Sequence, residues 1–364
     1  MNAHSKLSSL FLVVSLGALT AAAETWTFTE ADDHGDSNYW SRKERWMSQE
    51  GGTNGVPQTG DCLEILVKPS SMHRAELQRY MKRVHFGPNG NQNVAHQGFY
   101  VQGTEAEPGD FIYEPTAGVS WWCALYVSGT VKVDISSSNV NNGLDSGIQG
   151  LAGKTSRIIK VGAGGITSKS GNFPNMSGVD MCQGSLVFST TSTLKSDLDF
   201  WFDGELGSAT LIFSGANQNL VNGYLHTATN MAKSCTLGDR STARTLTLSG
   251  NSPVDEQYFE GILAESLGFC WNQTDPTKVF RFAGAMSGTT GSLKAESGIV
   301  KIGNGASFPS LGGISIGANG EIDIESDAGA IEARVLTVVT GAKLDIAEGR
   351  TLYVREAALD GQPV

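Results

Sequence analysis

A run of acidic and aromatic residues is the part of the chain whose residue types best suit chemistry. It reads Asp197-Leu198-Asp199-Phe200-Trp201-Phe202-Asp203-Gly204-Glu205. Side chains alternate between the two faces of a strand. One face would carry Asp197, Asp199, Trp201 and Asp203, and the other Leu198, Phe200 and Phe202. Carboxylates beside an aromatic ring could bind calcium or a sugar, and two carboxylates could act as acid and base on a glycoside.

The same alternation is typical of any half-buried strand, in which a solvated face lies opposite a core face. We therefore assign no catalytic residue to this run, and the sequence predicts no cofactor and no metal ligands. Histidines show none of the spacings typical of zinc enzymes. In Trp121-Trp122, neighbouring side chains point to opposite faces, so we expect one ring in the core and the other at the surface.

The cysteines are sparse and odd in number: Cys62, Cys123, Cys182, Cys235 and Cys270. Their wide spacing matches no C-x-x-C metal or redox motif. We interpret them as small hydrophobic core residues, and the sequence leaves one or two disulfides open.

The elements that would position these residues are revealed by a repeat near the C-terminus. Val300-Lys301-Ile302, Ile322-Asp323-Ile324 and Leu344-Asp345-Ile346 superpose at one constant period, and Ile314-Ser315-Ile316 recurs as Leu336-Thr337-Val338 at the same period. A period of about 20 residues is typical of one coil of a parallel β-solenoid, because each coil can bury its apolar side chains only against its neighbours. An antiparallel sandwich also has short strands, but its strands reverse direction, so nothing keeps successive units in one register.

The rest of the chain has the composition of such a fold, with 45 glycines and 17% charged residues. Short apolar runs, most of which end at a glycine, predict strands at 124–127, 131–135, 158–161, 185–188, 210–213, 245–248 and 279–282. One segment, 75–86, fits either a short helix or a strand that ends at Gly87-Pro88.

Several motifs resemble a known repeat family. The segments are Ala209-Thr210-Leu211-Ile212-Phe213-Ser214-Gly215-Ala216-Asn217 and Thr245-Leu246-Thr247-Leu248-Ser249-Gly250-Asn251, the latter followed by Phe259-Glu260-Gly261-Ile262-Leu263. They are similar to autotransporter-associated β-strand repeats, and the stretch from Trp46 to Leu66 resembles the opening of the same bacterial proteins. The resemblance implies an all-β fold, a right-handed single-stranded parallel β-helix, of the kind found in autotransporter passengers and large secreted proteins.

Three segments follow from these patterns. Residues 1–23 resemble a secretory signal peptide, because Lys6 precedes an apolar run that ends near Ala21-Ala22-Ala23. That run is shorter than the roughly 20 apolar residues of a membrane span. Residues 24–112, which are less repetitive, would form the N-terminal cap and first irregular coils, and residues 113–364 the β-helix repeats. The resemblance leaves a truncated C-terminus open.

The net charge and the predicted fold limit the classes of function that fit this sequence. A formal net charge of −11 without a cluster of Lys and Arg disfavours nucleic acid as a partner. We expect an exported, non-catalytic repeat protein that acts as a secreted or cell-surface structural or adhesive module, with carbohydrate or cell-surface components as partners and no transmembrane segment in the mature chain. The alternative is a polysaccharide lyase or glycoside hydrolase, because β-helices host pectate lyases and polygalacturonases. The sequence has no Gly-His-Gly run, however, and Asp32-Asp33 precedes the repeats.

Overall fold

A computed structural model describes residues 23–28, 46–66, 79–88, 98–114, 124–136, 148–168, 173–188, 194–203, 206–229, 235–239, 243–264, 266–284 and 290–364. Within these ranges the regular structure is entirely β, and no helix is long and apolar enough to cross a membrane. The strands are β1 Thr25–Phe28, β2 Trp46–Ser48, β3 Cys62–Ile65, β4 Arg83–Phe86, β5 Gly98–Gln102, β6 Gly109–Tyr113, β7 Ala124–Ile135, β8 Ile148–Gly150, β9 Ser156–Val161, β10 Gly165–Ser168, β11 Gly178–Met181, β12 Gly184–Phe188, β13 Asp199–Phe202, β14 Ala209–Phe213, β15 Gln218–Val221, β16 Tyr224–Thr227, β17 Cys235–Gly238, β18 Thr245–Gly250, β19 Glu256–Glu260, β20 Ile262–Leu263, β21 Gly268–Gln273, β22 Val279–Ala283, β23 Ser292–Ile302, β24 Phe308–Leu311, β25 Gly313–Ile324, β26 Ile331–Val338, β27 Lys343–Ile346, β28 Leu352–Leu359 and β29 Gln362–Pro363.

The strands stack in three sheets as the coils of a parallel β-solenoid of about 10 turns. One sheet runs β16-β13-β11-β9-β7-β6-β4-β3-β1-β2, the second β10-β12-β14-β17-β20, and the third β15-β18-β21-β23-β25-β26-β28-β29. Among the described strands, only β1–β2 and β28–β29 pair antiparallel. The predicted parallel solenoid is confirmed.

The constant period of the C-terminal sequence is the register of the backbone ladder. Val300 pairs with Ile322, and Ile322 with Leu344, in successive coils. All seven predicted strands are confirmed, with 124–127 and 131–135 joined in β7. In the ambiguous segment, Arg83–Phe86 is a strand, whereas residues 75–78 lie outside the described residues.

Alternation along each strand builds the core. In β14, the side chains of Ala209, Leu211 and Phe213 are fully buried, and those of Thr210 and Ile212 are half-buried on the outer face. A single hydrophobic cluster of this kind extends from Trp26 to Ala333. Each fully buried large apolar side chain contributes about 1.5–3 kcal/mol.

Glycine permits the tight corner between the first two sheets. Gly184 begins β12 with φ of 79°. A Cβ at this position would lie 2.4 Å from the carbonyl oxygens of Gly162 and Gly164, so any larger residue would clash with backbone.

The same corner buries a lysine. Lys160 is 0% exposed, and its Nζ donates hydrogen bonds to the carbonyl oxygens of Val161 (2.6 Å), Gly162 (2.8 Å) and Gln183 (3.2 Å). Burial lowers the pKa of Lys160 to about 7, although the nearby charge of Asp134 acts in the opposite direction. The ammonium thus satisfies carbonyl groups that the turn leaves outside the ladder.

Strand β2 covers the N-terminal edge of the ladder. It pairs antiparallel with β1, and the ring of Trp46 packs edge-on against Phe28 with centroids 5.4 Å apart. The parallel ladder then runs through β3, β4, β6 and β7 and crosses the predicted boundary between residues 112 and 113. The division into cap and repeats stays a prediction.

The backbone ladder of the first sheet ends at β16, and side-chain hydrogen bonds connect β16 to β19 on the next coil. The Gln257 side chain, fully buried in β19, accepts a hydrogen bond from the Leu225 N–H (3.0 Å) and donates one to the Gly223 carbonyl (2.9 Å). The Glu260 N–H donates to the Thr227 hydroxyl at 2.8 Å. Side-chain groups therefore replace a backbone ladder between β16 and β19.

The described cysteines behave as predicted for core residues. Cys182, Cys235 and Cys270 are buried, and Cys62 is half-buried. These four form no disulfide with one another, and Cys123 lies outside the described residues.

Candidate functional site

Four consecutive strands of the first sheet present a cluster of charged and aromatic side chains on their outer face. Register places Asp180 beside Trp201 and Trp201 beside His226, while Asp199 lies beside Tyr224. We use the name Arg157 cluster for the six residues Arg157, Asp180, Asp199, Trp201, Tyr224 and His226. They come from β9, β11, β13 and β16.

A glycine lets Arg157 reach across one strand. Gly178 of β11 lies in register between Arg157 of β9 and Asp199 of β13. A Cβ on Gly178 would lie 2.2 Å from the Arg157 Nη1 atom. The guanidinium of Arg157 therefore occupies the space that a side chain at residue 178 would fill.

Arg157 holds two carboxylates at once. Its Nε donates to Asp180 Oδ1 at 2.8 Å, and its Nη2 donates to the same carboxylate. Its Nη1 donates to Asp199 Oδ2 at 2.9 Å, while Asp199 Oδ1 lies 2.7 Å from His226 Nε2. A planar guanidinium has the geometry for such paired contacts, and charged hydrogen bonds of this kind are the strong ones.

Aromatic rings enclose His226 on the same face. The His226 ring stacks on Tyr224 with centroids 3.6 Å apart, and it meets Trp201 edge-on at 4.5 Å. The imidazole side chain is only 12% exposed. Its position is therefore fixed by two rings and by Asp199.

Charges in the cluster stabilise one another. Burial by itself would raise the pKa of Asp199, but hydrogen bonds with His226 and Arg157 outweigh burial and lower that pKa. Burial and the Asp199 charge both raise the pKa of Tyr224. Asp199 is thus a carboxylate at neutral pH, which suits hydrogen-bond acceptance and does not suit proton donation to a leaving group.

The structure brings together two of the residues that the sequence analysis singled out. Asp199 and Trp201 belong to the Arg157 cluster, whereas Asp203 accepts a hydrogen bond from Cys182 Sγ (3.1 Å) beyond the end of the strand. Asp197 is exposed in the preceding turn. The predicted inner face is confirmed, since Leu198, Phe200 and Phe202 are at most 1% exposed. Glu205 and Trp121-Trp122 lie outside the described residues.

Sequence reasoning missed Arg157, Asp180, Tyr224 and His226. Arg157 and Asp199 are 42 residues apart, and Asp199 and His226 are 27 apart, so no local motif joins them. The one sequence signal is Gly178, which lies in register between Arg157 and Asp199 and leaves room for their contact. This signal can be recognised only when the strand register is known.

A second aromatic group lies on β5 and β7. The rings of Tyr100 and Tyr126 stack with centroids 4.5 Å apart, and Tyr80 meets Tyr100 edge-on at 5.4 Å. These rings pack against one another across adjacent coils, so they stabilise the stacking of the coils.

Metal binding has no support in the described part of the chain. No group of three or more His, Cys, Asp and Glu side chains there is arranged to hold a metal ion. Comparison with known protein families, curated proteins and solved structures finds no match. The function must therefore be argued from the geometry.

Proposed function

We propose that this chain is an exported, non-catalytic β-solenoid that serves as a rigid structural or adhesive module outside the cell or at its surface. Stiffness follows from the fold, since each coil is hydrogen-bonded to the next and packs on one continuous core. The signal-peptide pattern of residues 1–23 supports export. The resemblance to autotransporter-associated repeats supports a location at the cell surface or beyond it.

One observation carries the non-catalytic part of the proposal: many of the acids and bases on the outer faces of the described strands are engaged with each other. Arg83 binds Glu64 at 2.6 Å, and Lys132 binds Asp110 at 2.8 Å. Arg281 joins carboxylates from two different coils. Proton transfer to a substrate needs a group that is poised to give or take a proton, and residues held in such pairs favour rigidity instead.

The direct test is binding and cleavage measured together. The purified mature chain would be incubated, with and without calcium, with polysaccharides that contain uronic acids and with neutral ones. We expect binding to at least one polysaccharide and no increase in reducing ends. New reducing ends would overturn the non-catalytic proposal, and an absence of binding to every polysaccharide would overturn the adhesive one.

Export has its own test. Expression of the full chain in a bacterial host should yield a product outside the cytoplasm whose mass corresponds to cleavage after Ala23. A product that keeps residues 1–23 and stays in the cytoplasm would contradict export without affecting the binding result.

The Arg157 cluster favours a second candidate, a polysaccharide-cleaving enzyme. In this cluster a guanidinium, two carboxylates and an imidazole from neighbouring coils meet. If cleavage is observed, Asp199→Asn should lower its rate by about 10²–10⁴-fold, as expected for loss of a group that takes part in acid–base chemistry. Thr210→Ala, on the outer face of another sheet, is the matched control. An unchanged rate in Asp199→Asn would exclude this cluster as the active site.

A further inference from the structure

A groove near the C-terminal end of the solenoid differs from every other charged surface described above. It has a volume of about 520 Å³ and is lined by residues of β24, β26 and β28. Its walls include Pro309, Leu311, Glu332, Arg334, Tyr353 and Arg355.

Two arginines face the groove side by side. Ala333 pairs with Val354, and Val335 pairs with Glu356, so Arg334 and Arg355 occupy equivalent positions on adjacent strands. Both side chains are exposed. Adjacent strands are about 4.8 Å apart, and like charges directly opposite each other destabilise a sheet.

These arginines lack the counter-charges that several cations on neighbouring coils have. Lys301 lies 3.4 Å from Asp323, and Lys343 lies 2.7 Å from Glu321, both on neighbouring coils. For Arg334 and Arg355, the described residues provide no carboxylate within ion-pairing distance. An anion between the two guanidiniums would remove the repulsion and could accept hydrogen bonds from both.

An open aromatic ring borders the arginines. Tyr353 is 61% exposed, and no other described aromatic ring packs against it. By contrast, Tyr100 is stacked on Tyr126 and Tyr224 on His226. Tyr353 therefore has a ring face that can pack on a ligand, as aromatic side chains do when they contribute apolar area beside polar groups.

We propose that this groove binds an acidic polysaccharide whose charge is a sugar carboxylate, that is, a chain containing uronic acid. Arg334 and Arg355 hold the carboxylate, and Tyr353 packs against the sugar ring. The inference rests on the proposed adhesive function and names its ligand class and its site.

Charge elsewhere argues for a sparsely charged glycan over a sulfated one. The chain carries a formal net charge of −11, which repels a dense polyanion at long range. Within the groove, Glu332 lies in register beside Tyr353, where it would repel a second anionic group and can accept a hydrogen bond from a sugar hydroxyl. A sugar with one carboxylate and neighbouring hydroxyl groups therefore fits the groove, with the carboxylate at the two arginines and a hydroxyl at Glu332.

The test measures affinity for four probes: a largely methyl-esterified polygalacturonate that keeps isolated free carboxylates, its fully methyl-esterified form, dextran and chondroitin sulfate. We expect the wild-type chain to bind the partly esterified form best. Arg334→Ala/Arg355→Ala should weaken that binding at least about tenfold, as charged paired contacts are lost. Tyr353→Ala should weaken it while Tyr353→Phe preserves it. Because Arg334 and Arg355 are exposed and repel each other, the double variant should melt no lower than the wild type.

A control removes the same formal charge elsewhere. Lys154→Ala/Lys195→Ala lowers the net charge by two on earlier coils and should leave the affinity within about twofold, since screened distant charges contribute little. Equal loss in both double variants, no loss in the arginine variant, equal binding of the fully methyl-esterified form, preference for the sulfated probe, or no binding to the partly esterified form would each overturn the inference. Reducing ends are measured in the same samples, and their release would overturn the proposed function alone.

Discussion

At the scale of single residues, the buried Lys160 links the stability of the fold to pH. Its folded pKa of about 7 lies below the value of about 10.4 that is typical of an exposed lysine. Between these values the unfolded chain binds more protons than the folded chain does, so the stability of the fold rises with pH in that window. Below about pH 7 both states are protonated, and the full cost of burying the charge remains.

We predict that the protein gains stability as the pH rises and that this gain depends on Lys160. From pH 7 to pH 9 the free energy of unfolding should rise by roughly 1 kcal/mol per pH unit relative to the Lys160→Met variant, a slope just under the limit of about 1.4 kcal/mol for one group. Urea unfolding of both chains at several pH values measures the difference. Lys154→Met, at an exposed turn, is the control and should follow the wild type. Parallel curves for Lys160→Met and the wild type would contradict the account.

Residue patterns predicted part of the candidate site and could not predict the rest. Asp199 and Trp201 were found because alternation within one strand is a local property. Arg157 and His226 join them only through the stacking of coils, and the coil lengths vary there. Gly178 pairs with Asp199 and Asp199 with Tyr224, so the second step along the chain is longer than the first. The period of the C-terminal coils, applied here, would therefore have paired the wrong residues.

At the scale of elements, the junction between β16 and β19 depends on one side chain. Gln257 satisfies the Leu225 N–H and the Gly223 carbonyl, and its amide also donates to the Ser252 hydroxyl at 3.0 Å. Each buried polar group left without a partner costs about 1–3 kcal/mol. The link is thus a local weak point where the loss of one amide opens several hydrogen bonds.

We predict that Gln257→Leu destabilises the protein by about 2–5 kcal/mol, because similar volume is kept while the buried partners are orphaned. The Leu225 amide should exchange faster with solvent, and amides within β9 and β11 should not. Gln149→Leu, on the half-buried outer face of β8, is the matched control and should change stability by less than about 0.5 kcal/mol. Unchanged protection of the Leu225 amide in Gln257→Leu would show that the side chain does not hold the junction.

At the scale of the whole molecule, regular coils made the architecture predictable. The C-terminal coils repeat at one constant period in sequence and in register, so their in–out pattern was visible as translation. Earlier coils are interrupted by insertions at the corners. Leu220 pairs with Leu248 and Leu248 with Trp271, and the first of these two steps is the longer. Strand positions survive such insertions because they depend on local alternation, but the order of the three sheets cannot be read from a varying period.

A translationally regular stack should tolerate the removal of one whole coil. Residues 303–324 form such a unit, because Ile302 pairs with Ile324 and Ile324 with Ile346. After their deletion, Ile302 would take the place of Ile324, and Val300 would stack on Leu344. Inner residues would still meet inner residues, so the core stays continuous. We expect a folded, β-rich protein whose long dimension is shorter by about 4.8 Å, the spacing of one strand.

Deletion of residues 301–321 is the matched control, since it removes almost the same mass but joins two inward-facing residues, Val300 and Ile322, inside one strand, where no corner can absorb the shift. A shift by one position within a strand exchanges its inner and outer faces, which would bring Asp323 toward the core. The one-coil deletion should therefore melt well above the control, with circular dichroism reporting β content and small-angle scattering the length. Equal melting temperatures for the two deletions would mean that register does not determine stability in this part of the solenoid, and the stacking argument for a rigid rod would fail with it.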